Sequence, residues 1–97
     1  MTARIDRIRM ALEAALQPVA LTLEDESAQH AGHPGAAGGR GHFRVHLVAS
    51  AFEGLAPLAR HRKVYAALGT LMETDIHALS ITAVTPDEAR TAGPARR

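Results

Sequence analysis

Phe43-Arg-Val-His-Leu-Val48 is the stretch from which the rest of the chain can be placed. Phe43, Val45 and Leu47 alternate with Arg44, His46 and Val48, the period-two pattern of a strand with one buried face. Immediately before it, from Asp25 to Gly41, periodicity vanishes. The run His30-Ala-Gly-His33-Pro-Gly-Ala-Ala-Gly-Gly-Arg-Gly41 cannot support a regular element, and a loop of this length in a small domain is functional or mobile as a rule. Further back, Val19, Leu21 and Leu23 alternate with Ala20, Thr22 and Glu24, giving a first strand. The spacing predicts an antiparallel pair joined by the long loop. Residues 3–17 read as a helix, with Ile5, Ile8, Leu12 and Ala15/Leu16 at helical spacing, and Pro18 ends it.

Forward of Val48, Ser50 to Pro57 reads as a turn centred on Glu53-Gly54. A helix is predicted over Pro57 to Glu73, burying Leu58, Val64, Leu68, Leu71 and Met72, with Tyr65 at or near the core. His77, Leu79, Ile81 and Ala83 alternate with Ala78, Ser80, Thr82 and Val84 as a third strand. Thr85-Pro-Asp-Glu88 carries a helix start, with Thr85 as N-cap, Pro86 at the first position and Glu88 closing a capping box. Gly93-Pro94 should end that short helix. The order helix–strand–strand–helix–strand–helix predicts an α/β (α+β) fold, a three-stranded mixed sheet with helices on one face. Residues 1–90 form one domain in this reading, and 91–97 a basic, disordered tail.

Composition narrows the function. Ninety-seven residues suffice for one modest core, and with two Phe, one Tyr and no Trp that core is built from aliphatic side chains. The net charge of +1, histidines neutral, argues against a strong nonspecific grip on nucleic acid. The chain has no cysteine, hence no disulfide framework or CxxC motif, which fits a reducing compartment. No signal-peptide pattern or membrane-length apolar run occurs, so a cytoplasmic protein that avoids membranes is expected. Asp25 and Glu26 point to opposite faces of a strand, and no nucleophile motif surrounds Ser27, so no enzyme is expected.

Without cysteine, soft-metal chemistry must run through imidazole. Of six histidines, His30, His33 and His42 lie in or beside the glycine-rich loop and His77 opens the third strand. By periodicity alone His77 is in phase with Leu79 and Ile81, which suits a satisfied histidine at the end of a core-facing strand. His46 should face outward or toward a partner, and is read as structural.

Five segments, in order, carry a resemblance to the BolA family: Asp25-Glu-Ser-Ala-Gln-His30, His42-Phe-Arg-Val45, Phe52-Glu-Gly54, Arg60-His-Arg-Lys-Val-Tyr65 and Ile76-His-Ala-Leu79. The resemblance runs from about Ile5 to Glu88; Ala89 stands where many relatives have Trp. It implies a fold related to class II KH domains and a functional loop, here of the His type, between the first two strands. It also implies a second functional position at His77. BolA-like proteins pair with monothiol glutaredoxins around a shared [2Fe–2S] cluster, with glutaredoxin and glutathione thiols on one side. Some bacterial members are DNA-binding regulators linked to stress and morphology.

On that basis His77 is the expected fixed ligand. His42, abutting its strand, is the first-ranked loop ligand. His33 ranks second; it and His30 lie further back, where immobilising each loop residue costs about 1–2 kcal/mol, and the alternative for His30 is packing or hydrogen bonding near the end of the first strand. The isolated apo protein should hold no cluster, and it should be a monomer or a weak homodimer. Arg60, His61, Arg62 and Lys63 form a basic run early in a helix. It could grip phosphate, meet acidic groups on a partner, or be a solvated helix face. The turn at Phe52-Glu-Gly54 lacks the GxxG of KH-type RNA binding. The expected function is accessory iron–sulfur handling with a monothiol glutaredoxin. The alternative is a DNA-binding regulator using the Arg60–Lys63 helix.

Overall fold

The computed structural model describes residues 3–26 and 41–92. Helix α1 spans Arg4–Leu16, strand β1 Ala20–Asp25 and strand β2 Gly41–Val48. A 3-10 turn, Ser50–Phe52, leads to helix α2 (Pro57–Leu68), helix α3 (Leu71–Thr74), strand β3 (Ile76–Val84) and helix α4 (Pro86–Ala92). The sheet order is β1-β2-β3, with β1 antiparallel and β3 parallel to the central β2. The mixed α+β architecture is the one expected. Helix α4 continues through Thr91 and Ala92, past the expected boundary at residue 90, while residues 93–97 lie outside the described residues.

The core lies between the sheet and the helices. Phe43, Val45 and Leu47 of β2 pack with Ile8, Leu12 and Leu16 of α1 and with Val64 and Leu68 of α2. Phe52, in the turn, is fully buried and supplies the second aromatic ring of the core. The opposite sheet face, including Thr22, Glu24, Arg44, His46, Ser80 and Thr82, is exposed, so His46 points outward as its alternation predicts.

Three details differ from the sequence reading. The helix predicted over Pro57–Glu73 is two helices, because the chain leaves the helical basin at Gly69 (φ 54°, ψ −130°), a conformation that favours glycine. Leu58 is 62% exposed, since it lies on the face of α2 turned away from the sheet. Tyr65, seven residues on, shares that outward face and is 42% exposed rather than in the core.

Candidate functional site at the β2–β3 junction

Where β2 and β3 begin, their register slips by one residue. Gly41 pairs with Ile76 and His42 with Ala78, so His77 is an extra residue with no counterpart on β2. Such a bulge re-aims the side chain that it carries. Ile76 on one side of it and Leu79 on the other can then both serve the core, while His77 itself is exposed. The phase-based expectation of a core-facing His77 fails for this reason.

The bulge brings two histidines together. The rings of His42 and His77 have centroids 5.0 Å apart and are tilted by 52°. His42 is half-buried, with Nε2 shielded from solvent, and His77 stands at the surface. Two imidazoles on one tetrahedral ion, with bonds of about 2.0–2.1 Å, have centroids roughly 5 Å apart. A separation of 5.0 Å suits a tilted ring–ring contact as well as two ligands of one metal. No group of three or more His, Cys, Asp or Glu side chains suited to a metal occurs among the described residues. His30 and His33 lie outside the described residues. The two ends of their segment are fixed beside the pair: Glu26 N–H donates to the His42 carbonyl (2.8 Å) and Gly41 N–H to the Asp75 carbonyl (2.9 Å).

Asp75, which sequence reasoning missed, holds the start of β3. Its carboxylate is buried, receives hydrogen bonds from Arg7 and from Arg4 Nε (3.3 Å), and accepts from the Thr74 hydroxyl. The Thr74 hydrogen bond and then Arg7 hold this carboxyl below its ordinary range. The available signal was the i, i+3 spacing of Arg4 and Arg7, which puts both cations on one side of α1. On the exposed sheet face, Arg44 Nε donates to Glu26 (2.9 Å), and this hydrogen bond raises the Arg44 pKa.

The basic run does not act as a unit. Arg60 turns inward and is a correction to the expected contact set. Its Nε donates to the Leu55 carbonyl (2.8 Å) and Nη1 to the Ala83 carbonyl (3.0 Å). Nη1 and Nη2 grip Glu88 in a two-pronged pair (2.7 and 3.0 Å). Only 12% of the side chain is exposed, so Arg60 is committed to joining α2, β3 and α4. His61 is half-buried, and Arg62 and Lys63 are exposed. Arg60 meets β3 at Ala83, six residues from His77, or roughly 20 Å along a strand. The basic run and the histidine pair are separate surfaces.

Comparisons with known proteins place the chain in a family. The family described as BolA-like protein matches residues 12–88. The chain belongs to the BolA family. Human BolA-like protein 1 is 51% identical over 83 residues, covering 86% of this chain and 58% of the relative. The Escherichia coli (strain K12) DNA-binding transcriptional regulator BolA is 42% identical over 83 residues, covering 86% of this chain and 76% of the relative. Among solved structures, the BolA domain of SufE1 from Arabidopsis thaliana superposes with a TM-score of 0.79 at 44% identity, covering 92% of this chain and 99% of that one. The chain thus spans little more than half the length of the human relative but nearly all of that solved BolA domain.

Proposed function

We propose that this protein is a non-enzymatic BolA-type accessory in iron–sulfur handling. It presents His42 and His77 to a [2Fe–2S] cluster that it shares with a monothiol glutaredoxin. The observation that carries this reading is the histidine pair, 5.0 Å apart at the β3 bulge. A chain with no cysteine offers such a cluster imidazole but no thiolate, so the thiolates come from glutaredoxin and glutathione. His77 is carried by β3, and His42 stands beside it on the adjacent strand. His33 and His30 rank behind them as ligands from the connecting segment.

Imidazole in place of thiolate on one iron raises the cluster's potential and makes its ligand set protonatable. Because imidazole binds metal only in its neutral form, acidification favours release of the cluster. Thiolate ligands from the partner require a reducing compartment, and the cytoplasm is the location we adopt. No helix among the described residues is long and apolar enough to cross a membrane.

Anaerobic reconstitution of the heterodimer with a monothiol glutaredoxin and glutathione tests this. His77→Ala should change the visible circular dichroism of the cluster and speed its loss, with His42→Ala acting in the same direction. Because His77 is exposed, its replacement should leave the far-ultraviolet spectrum and thermal midpoint of the apo protein unchanged. An unaltered cluster spectrum and lifetime in His77→Ala would refute the assignment.

A DNA-binding regulator is the second reading, favoured by the name of the E. coli relative. With Arg60 bound internally, that role falls to Arg62 and Lys63 on the outer face of α2.

A further inference from the structure

The free edge of β3 points to a second copy of this chain as its partner. β3 is an outer strand of nine residues, and Ile76–Val84 contains no Asp, Glu, Lys, Arg or Pro. Outer strands are ordinarily blunted by charge, proline or brevity. The other edge shows that protection: β1 has six residues and ends in Glu24-Asp25, with Glu26 following.

The direction of the peptide groups defines what β3 offers. The Val84 carbonyl accepts from Ala49 N–H on the sheet side. By alternation, Leu79, Ile81 and Ala83 turn their N–H and C=O groups to the free side. Arg60 already occupies the Ala83 carbonyl there, which confirms the parity. No backbone hydrogen bond from outside the sheet reaches Leu79 or Ile81 among the described residues.

The side chains tell the same story. Phe43, Val45 and Leu47 are 2%, 0% and 0% exposed, yet their register partners Leu79, Ile81 and Ala83 are only half-buried. The helices leave that apolar column partly open, and one more strand would cover it.

We propose that two copies pair antiparallel through β3 about a two-fold axis at Ser80, forming a continuous six-stranded sheet. Leu79 of one copy faces Ile81 of the other, and the two pairs exchange four backbone hydrogen bonds. Among the described residues no backbone group outside the sheet bonds either of these two, whereas Arg60 already holds the Ala83 carbonyl. On the open face Ser80 meets Ser80 and Ala78 meets Thr82, all small and uncharged. A net charge of +1 per chain leaves little repulsion between copies. Two short strands bury less than the ~1,200 Å² of a standard stable interface, so the pair is weak and concentration-dependent.

Sedimentation velocity with chelator present, from micromolar to about 1 mM, tests the proposal. Wild type should shift from monomer to dimer across that range. Ser80→Glu places a carboxylate beside Arg44, its register neighbour within the chain, and opposite its own copy across the axis. It should keep the fold and weaken association by about tenfold or more. Ser80→Lys should do the same, and an equimolar mixture of the two variants should associate again. Wild type that stays monomeric throughout would overturn the proposal. So would dimerisation undiminished in both single variants, or variants that fold but do not associate when mixed.

Discussion

Arg60 shows how a residue's neighbours in space decide its role. Its fork reaches two carbonyls and a carboxylate that come from three different parts of the chain. Replacing it with alanine removes charged hydrogen bonds and leaves the Leu55 and Ala83 carbonyls short of a donor. The expected loss is on the order of 2 kcal/mol in urea denaturation. Arg60→Lys should recover only part of it, because a single ammonium cannot reproduce the fork. In sequence the run Arg60-His-Arg-Lys63 looks uniform. What distinguishes its first member is Glu88, 28 residues further on, and helical periodicity carries no information about that partner. The inward turn of Arg60 was therefore hidden, whereas the outward face of His46 followed from simple alternation.

At the scale of elements, signals that lie within a few residues were legible. The capping box of α4 forms as read: Glu88 N–H donates to Thr85 Oγ1 (3.1 Å) and Thr85 N–H to Glu88 Oε1 (3.0 Å). The break at Gly69 was not, because apolar spacing runs through it from Val64 to Met72. Gly69→Ala should destabilise the protein by about 1–3 kcal/mol, measured by thermal or urea unfolding. A Cβ there would meet no atom within 4 Å, so the cost is purely one of backbone conformation. A neutral result would show that the chain can relax at this junction. The bulge at His77 was hidden for a different reason. Local alternation assigns every residue a face, but Asp75, anchored by Arg4 and Arg7 from the other end of the chain, fixes where β3 starts.

For the whole molecule, two carboxylates link stability to acid pH. Arg60 and the Thr85 N–H lower the Glu88 pKa to about 2, and Asp75 is also held below its usual range. Both are depressed in the folded state, so their contribution is fully present above the ordinary carboxylate values of 4.5 and 3.8. It is lost as pH falls through the folded values. These two groups should make urea midpoints fall progressively from about pH 5 toward pH 2. Glu88→Gln should lower the plateau and flatten the decline. The element order and the three-stranded sheet were legible because each element carries its own apolar period. Of the site, His42 and His77 were both named from the chain, but their meeting depends on a parallel pairing between strands about thirty residues apart and on a one-residue slip within it.

That slip has a consequence for how such a site can change over generations. His77 belongs to neither the inner nor the outer rank of β3, and no residue opposes it on β2. Ile76 and Leu79 keep their places whatever side chain stands at position 77. Natural variation can therefore exchange the group presented there while the interior that keeps the protein folded stays the same.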